Sequence, residues 1–513
     1  MSFETVNVIG GGLAGLSAAL ALAESGVRVR LFEKRPYFGG RATSYALPDG
    51  SHIDNCQHVT LGCCTNLADF YRRVRAESKI RHYDRLFFAD RAGRVSSIYS
   101  SVLPPPFHMT LSFLRFRALA YRDKQAIARG LLLIARSGGS PADAGGATML
   151  DWLRRNGQTE EAITRFWRVV LVSALDEELD RTDARYGIDV FWKAFLASRR
   201  GYVLGIPSVP LGDLYAGCRI AIEREGGEVR SRAAVRGIRV AEGRFHSLQL
   251  DDGAEVRADA CICAVPHDSF LGLLPPEILQ RDASLANINR LRTSPITGVH
   301  LWFDRTVLDK PFLTLIDHTV QWIFNKSLLY ATSEPASGSH LTNGLRQGTA
   351  SAVPMSSGNS GVLTPEVGRP VSRGINETSS GQYLQLVISA SYDLIPRSRQ
   401  EIIDLCIKEL HEVLPLAREA KLQKATVVKE VNATFSPEPG SDAFRPPQQT
   451  AIPGLFLAGD WTRTGWPATM EGAVRSGYLA AEALLNFAGA PRKFLVPDLP
   501  VEGFCRRWAK RSA

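Results

Sequence analysis

Three groups of residues near the start of the sequence have the types and spacing to do chemistry. The first is Gly10-Gly11-Gly12-Leu13-Ala14-Gly15, set between the apolar run Val6-Asn7-Val8-Ile9 and a second apolar run from Leu16 to Ala23. A buried strand, a glycine turn and a helix in that order make a seat for a diphosphate. Gly10 permits the tight turn, Gly12 lets backbone approach the phosphates and Gly15 lets helix and strand pack closely. The anion then faces the helix N-terminus. The second group is the strand Val27-Arg28-Val29-Arg30-Leu31-Phe32 ending at Glu33, a carboxylate placed to accept hydrogen bonds from both ribose hydroxyls and to disfavour a 2'-phosphate. The third is Gly39-Gly40-Arg41, a glycine pair with a cation, close enough to Glu33 to meet the same ligand from the other side. Two phosphate-facing elements imply a large dinucleotide.

The elements that must position these groups belong to a large globular chain. With 513 residues and 45% apolar content, the sequence can bury a sizeable core and is expected to form two intertwined domains. Eight cysteines are too irregularly placed for a disulfide framework, and Cys63-Cys64 and Cys261-x-Cys263 lack a matching pair for zinc, so no metal site is expected. The first strand begins within a few residues of Met1, which leaves no room for a cleavable signal and points to the cytoplasm. No run of about 18 uncharged apolar residues exists to span a bilayer. The net charge of +9 admits nucleic acid, an anionic membrane face or plain arginine richness. No nucleic-acid reading motif interleaves the basic residues, so a membrane surface fits better.

Taken along the chain, the pattern predicts an α/β protein in which a Rossmann-like parallel sheet with a β-flap interleaves with a mixed-sheet and helical substrate domain. Residues 1–100 form the first cofactor segment. Residues 101–205 form a helical, membrane-facing part in which Met109, Leu111, Phe113, Leu114 and Phe116 alternate with Arg115 and Arg117 ahead of the basic and apolar run Arg129 to Arg136. Such helices suit a headgroup boundary, and equally suit a buried cap with solvated arginines. Residues 206–275 return to the cofactor through short strands, and 276–433 carry a broad sheet broken by a Ser-, Gly- and Thr-rich insertion over 331–381 that reads as disordered. Residues 434–490 close the cofactor domain with Gly454 to Asp460 and a helix opening at Thr469. Residues 491–513 form a basic tail, read as a frayed end or a membrane contact.

Five features in order resemble one superfamily: the glycine turn with Glu33, Gly39-Gly40-Arg41, Asp54 with Gln57-His58, the Val235 strand, and Leu457-Ala458-Gly459-Asp460-Trp461 followed by Ala468 to Gly477. The chain resembles the flavin amine oxidase and phytoene desaturase superfamily, whose members bind FAD. Carried over position by position, the resemblance implies that Gly10, Gly12, Leu13, Ala14 and Gly15 meet the diphosphate. It implies that Glu33 meets the adenosine ribose with Lys34 beside it in the cofactor site, that Gly39, Gly40 and Arg41 meet the pyrophosphate, and that the Val235 backbone meets the adenine. Gly459 and Asp460 would meet the ribityl side. Met470, Glu471, Gly472 and Ala473 would aim a helix N-terminus at the flavin pyrimidine edge, where its partial positive charge favours the reduced ring.

Thr469 stands where amine oxidases of the superfamily carry a tyrosine, and the strand Ile296 to Phe303 has no lysine, so an amine substrate is not expected. The stretches Asn55 to Gly62, Ser294 to Asp304 and Asp460 to Thr469 most resemble the squalene-associated FAD-dependent desaturases, understood as hydroxysqualene dehydroxylases. Cys56 departs from that group's usual glycine. The resemblance implies reductive removal of an allylic hydroxyl from a thirty-carbon polyprenyl alcohol. An apolar tunnel is then needed, with Trp302, Trp322, Tyr383, Trp461 and Trp466 as candidate walls and His58 as candidate proton donor or hydrogen-bonding group. The expected partners are the polyprenyl lipid, an anionic membrane on the inner face of the cell membrane and other squalene-pathway enzymes, with no nucleic acid. Two alternatives stay open: desaturation of a polyprenyl hydrocarbon, and a flavin-binding membrane scaffold without catalysis.

Overall fold

The apolar runs flanking the glycine turn become the strand Thr5–Ile9 and the helix Leu13–Ala23. Every residue of that helix is buried, which is the fate of a helix apolar on all sides. This computed structural model describes residues 3–281, 283–331 and 381–509. The insertion expected over 331–381 lies outside the described residues apart from its two ends.

Thr5–Ile9 is the centre of a five-stranded parallel sheet with Arg28–Glu33 and Glu228–Ser231 on one side and Ala260–Cys263 and Leu455–Leu457 on the other. Strand order reverses beside the first strand, which is where an open α/β sheet leaves a crevice for its ligand. Three distant stretches of chain thus build one sheet. The helix Met470–Phe487 lies against Leu13–Ala23 closely enough that Ser17 Oγ donates to Val474 O at 3.3 Å. The strands Val235–Ala241, Arg244–Leu250 and Glu255–Arg257 form the flap.

The second sheet has seven strands in the order Leu422–Phe435, Thr293–Phe303, Gln382–Ser389, Trp322–Asn325, Phe312–Leu315, Arg85–Ala89 and Val95–Tyr99. The pairing Thr314 with Phe88 is parallel and the others are antiparallel. The last two strands correct the expected boundary at residue 100: Arg85 to Tyr99 hydrogen-bond into the mixed sheet, because Phe88 and Ala89 find an open strand edge at Phe312–Leu315 rather than in the parallel sheet. Helices over Thr110–Leu114, Tyr121–Arg136, Met149–Arg155, Arg168–Leu175 and Ala184–Val190 form a cap on this sheet.

The tail is docked as far as Ala509, its last described residue. Gly503–Ala509 is a helix whose Cys505 is fully buried, and Phe504 N donates to Pro105 O at 2.9 Å while Glu502 N donates to Ala197 O at 2.8 Å. An apolar face of Phe504, Cys505 and Trp508 on an otherwise basic stretch is what docks it.

Candidate functional site

Glu33 ends its strand with a carboxylate that is 7% exposed. Its Oε2 accepts from Gly11 N at 2.7 Å and its Oε1 from Arg35 N at 2.8 Å. A carboxylate has about four lone-pair positions, so each oxygen keeps one for a ribose hydroxyl. Ala233 N donates to Glu33 O at 2.9 Å, which brings the start of the Val235–Ala241 strand to the same corner. Lys34 is exposed beside it.

The glycines of the turn separate into two kinds. A Cβ on Gly15 would stand 1.9 Å from Gly10 O, so the protein's own packing demands glycine there, and Gly10 has a φ of 101°. A Cβ on Gly12 would meet nothing nearer than Gly40 Cα at 3.7 Å. Nothing among the described residues requires the missing side chain at Gly12, and the backbone is left bare toward Gly39-Gly40. The helix that follows has no capping side chain and no acidic residue in its first turn. Helical geometry leaves the first amides, including those of Leu13 and Ala14, without intrahelical acceptors. A bare glycine face and uncapped amides on an 11-residue helix fit a diphosphate.

Arg41 reaches across from its glycine pair to Asp460 Oδ1 at 2.7 Å and to Ala433 O, joining the first and last cofactor stretches. Gly459, with a φ of 143°, donates its N–H to Ser476 Oγ at 2.8 Å. At the second helix N-terminus, Thr469 Oγ1 accepts from Gly472 N at 3.0 Å, and Thr469 O accepts from Ala473 N at 2.9 Å. The amides of Met470 and Glu471 stay open at that end by helical geometry. The Glu471 side chain, however, turns away: it accepts from Asn66 N at 3.2 Å, Leu67 N at 2.7 Å and Asn66 Nδ2 at 2.9 Å. It caps the helix Thr65–Arg73, so only its backbone can serve the ligand proposed at this terminus.

Beyond the turn Pro48-Asp49-Gly50, the hairpin Ser44–Ala46 and His52–Asp54 leads into Asn55-Cys56-Gln57-His58. This segment crosses the mixed sheet at Gly298, where a Cβ would lie 3.2 Å from both Asn55 O and Cys56 Sγ. On one side of the crossing lies a cavity of about 460 Å³ between sheet and cap. Its floor is a cross-strand row of Phe88, Thr314, Trp322 and Val387. Its roof includes Phe166, Phe191 and Phe195, presented by two wide helical turns at Ile163–Trp167 and Phe191–Leu196. Wide turns of this kind concentrate at functional sites. Gln57 and Val59 line the cavity, and Phe107, Leu114, Tyr121 and Lys124 border it at the surface. Thr314 Oγ1 is buried in this wall without a partner among the described residues.

On the other side of the crossing is a polar cluster that sequence reasoning missed. Lys326 Nζ lies 2.7 Å from Asp54 Oδ2 and 2.7 Å from Gln57 Oε1, with its side chain fully buried. Burial alone would raise the Asp54 carboxyl, but the adjacent Lys326 ammonium outweighs it and holds Asp54 below the usual carboxylate range. Burial lowers Lys326 while Asp54 opposes the shift. The available signal was a lone cation inside the apolar run Trp322 to Leu329.

Of the five expected tunnel aromatics, Trp322 lines the cavity. Trp302 and Tyr383 lie on the same sheet face but beyond the crossing, stacked on each other at 4.5 Å with Lys424 Nζ over the indole. Trp461 donates to Val265 O at 3.0 Å and stacks on Phe270. Trp466 sits between Lys193 and Arg475. His58 is the expected proton donor or hydrogen-bonding group. Its Nδ1–H donates to Cys56 O at 2.9 Å, burial lowers its pKa, and it does not line the cavity that Gln57 and Val59 line. His300, on the far side, shares a hydrogen bond of 2.7 Å with Tyr383 and is pushed down to about 3 by burial.

A family model described as flavin containing amine oxidoreductase matches residues 13–485. The chain is 27% identical over 499 residues to the 15-cis-phytoene desaturase, chloroplastic/chromoplastic, of Solanum lycopersicum, covering 93% of this chain and 77% of that one. It is 26% identical over 499 residues to the zeta-carotene desaturase of Synechocystis sp., covering 94% and 97%. Among solved structures it is similar to an oxidoreductase from Methanosarcina mazei, with a TM-score of 0.68 and 18% identity over 94% of this chain and 100% of that one. It is also similar to the cyclohexylamine oxidase from Brevibacterium oxydans, with a TM-score of 0.62 and 16% identity over 95% and 99%. The two structural likenesses show a shared fold.

Proposed function

The chain belongs to the flavin containing amine oxidoreductase family, and from that premise we propose that it removes the allylic hydroxyl of hydroxysqualene reductively, giving squalene. It is a flavin oxidoreductase and its cofactor is FAD, held by Glu33, the bare Gly12 turn and the open helix termini at Leu13 and Met470. When bound, the flavin supplies or accepts a hydride; the rest falls to this chain's residues. The observation that carries the substrate class is the cavity of about 460 Å³, walled by sheet and cap side chains that are mostly aliphatic or aromatic. Such walls exclude water and hold an extended polyprenyl chain. The hydrogen-bonding groups Gln57 and Thr314 in that wall suit an alcohol, and the stretches Asn55 to Gly62 and Asp460 to Thr469 resemble the dehydroxylase group.

A second reading, desaturation of a polyprenyl hydrocarbon, is supported by the similarity to phytoene and zeta-carotene desaturases across more than nine-tenths of the chain. The cavity mouth supports delivery of either lipid from a bilayer. Phe107, Leu111, Leu114 and Tyr121 are exposed there, near Arg115, Arg117 and Lys124, and we place the protein peripherally on an anionic membrane face. Among the described residues no helix is long and apolar enough to cross a membrane.

The test is to reduce the holoenzyme anaerobically, add hydroxysqualene, follow flavin absorbance and extract the lipids. Reoxidation with one squalene per flavin is expected. A flavin that stays reduced, with phytoene desaturated by the oxidised holoenzyme, would replace the first reading with the second.

A further inference from the structure

Gln57 brings an amide into an apolar wall, and the residues behind it decide which end of that amide faces the cavity. Lys326 Nζ, 2.7 Å from Gln57 Oε1, is an ammonium with three donors and no acceptor. The atom facing it must therefore be the amide oxygen. Lys326 is itself pinned by Asp54 Oδ2 at 2.7 Å, and Asp54 is held by the Tyr330 hydroxyl at 3.1 Å, Ser44 Oγ at 2.7 Å and Leu211 N at 3.1 Å. The nitrogen end is what remains. One Nε2–H donates to His58 O at 3.0 Å, and the second has no protein acceptor among the described residues.

We propose that Gln57 is a specificity-determining residue whose free N–H donates to the hydroxyl oxygen of the polyprenyl alcohol, with Lys326 and Asp54 as the positioning pair that prevents the amide from turning over. The proposal rests on the dehydroxylase reading. The alcohol satisfies the N–H, whereas the hydrocarbon product offers no acceptor and leaves a donor unpaired in a dry wall. The same contact that selects the substrate then weakens binding of the product. A single hydrogen bond of this kind gives a preference of about tenfold.

The experiment measures binding of hydroxysqualene and of squalene to the oxidised, detergent-solubilised holoenzyme, and KM and kcat with the alcohol after reduction. Wild type is compared with Gln57→Leu, with Gln57→Met, which keeps the length of the side chain but has neither N–H nor O–H, and with the charge-neutral pair Lys326→Met and Asp54→Asn. Flavin content reports whether each variant is folded. The expected result is an alcohol preference of about tenfold in wild type, lost in both Gln57 variants through a raised KM with squalene affinity unchanged, and reduced in the double variant. Retention of the preference in folded Gln57→Leu and Gln57→Met overturns the assignment while leaving the dehydroxylase reading intact. A wild type that converts no alcohol and binds both lipids equally overturns both.

Discussion

Gly12 and Gly15 stand three residues apart in one turn and answer to different demands, which makes them separable by experiment. An added methyl at Gly15 collides with Gly10 O at 1.9 Å, whereas at Gly12 it has 3.7 Å to the nearest atom and a backbone φ of −76° that alanine adopts freely. Gly12→Ala is therefore expected to purify with the melting temperature of the wild-type apoprotein but with FAD affinity lowered tenfold or more, read from the flavin-to-protein ratio. Gly15→Ala is expected to lower the apoprotein's melting temperature as well. Histidine supplies a second residue-level outcome. Burial pushes His300 to about 3 and His108 to about 4, below the ordinary 6.5, so between those values the unfolded chain binds protons that the native one refuses. Native stability rises with pH through that window and is lost as pH falls from about 6.5. Each group contributes a slope of up to about 1.4 kcal/mol per pH unit, and His300→Gln is expected to make the urea-unfolding free energy less steep between pH 6 and pH 4 by about that amount. The residues of the glycine turn were legible because their demands are local. Lys326 was not, since its partner Asp54 lies 272 positions away and no short-range pattern announces a buried ion pair.

Elements were legible where period and punctuation agreed, as in the strand, glycine turn and helix from Val6 to Ala23 and the helix opening at Thr469. The tunnel wall was not, for a reason visible in the sheet. Trp302 and Tyr383 have the right parity to face the cavity, but the backbone crossing at Gly298 divides that face, and only the row through Trp322 and Val387 falls on the cavity side. Parity is a property of one strand; the crossing depends on a segment more than 200 residues earlier. The cap gives this scale its prediction. Leu114 and Tyr121 are exposed at the cavity mouth, and the helix Tyr121–Arg136 and the turn before it also expose Arg115, Arg117, Arg129, Leu133 and Arg136. Reversing Arg115, Arg117 and Arg136 to glutamate is expected to abolish co-sedimentation with anionic liposomes, since each basic residue near such a surface contributes about 1 kcal/mol. Replacing Leu114 and Tyr121 by serine is expected to weaken binding to neutral liposomes as well. Unchanged sedimentation of the charge-reversed variant would remove the membrane from the account of this cap.

At the scale of the molecule, the cofactor domain is built from three stretches, 5–33, 228–263 and 455–457, that meet in one sheet, so the seat of FAD exists only when the whole chain has folded. Several contacts tie the first stretch to the last, among them Arg41 with Asp460, Glu471 with the amides of Asn66 and Leu67, and Ser17 with Val474. Binding to the native state alone stabilises it by RT ln(1 + [L]/Kd), about 4 kcal/mol at a thousandfold excess over Kd. The holoprotein is thus expected to unfold in one transition, at a urea midpoint that climbs with the logarithm of added FAD. Glu471→Gln discriminates between a carboxylate that serves the cofactor and one that serves the fold. Glu471 is 1% exposed and caps the helix Thr65–Arg73, so the amide, which has one acceptor oxygen where the carboxylate has two, is expected to cost about 1–3 kcal/mol in apoprotein and holoprotein alike. The gap between them, which measures FAD affinity, is expected to stay constant, because the side chain reaches the first stretch of chain and not the ligand. A gap that shrinks in step with the lost charge would move Glu471 from the scaffold into the cofactor site.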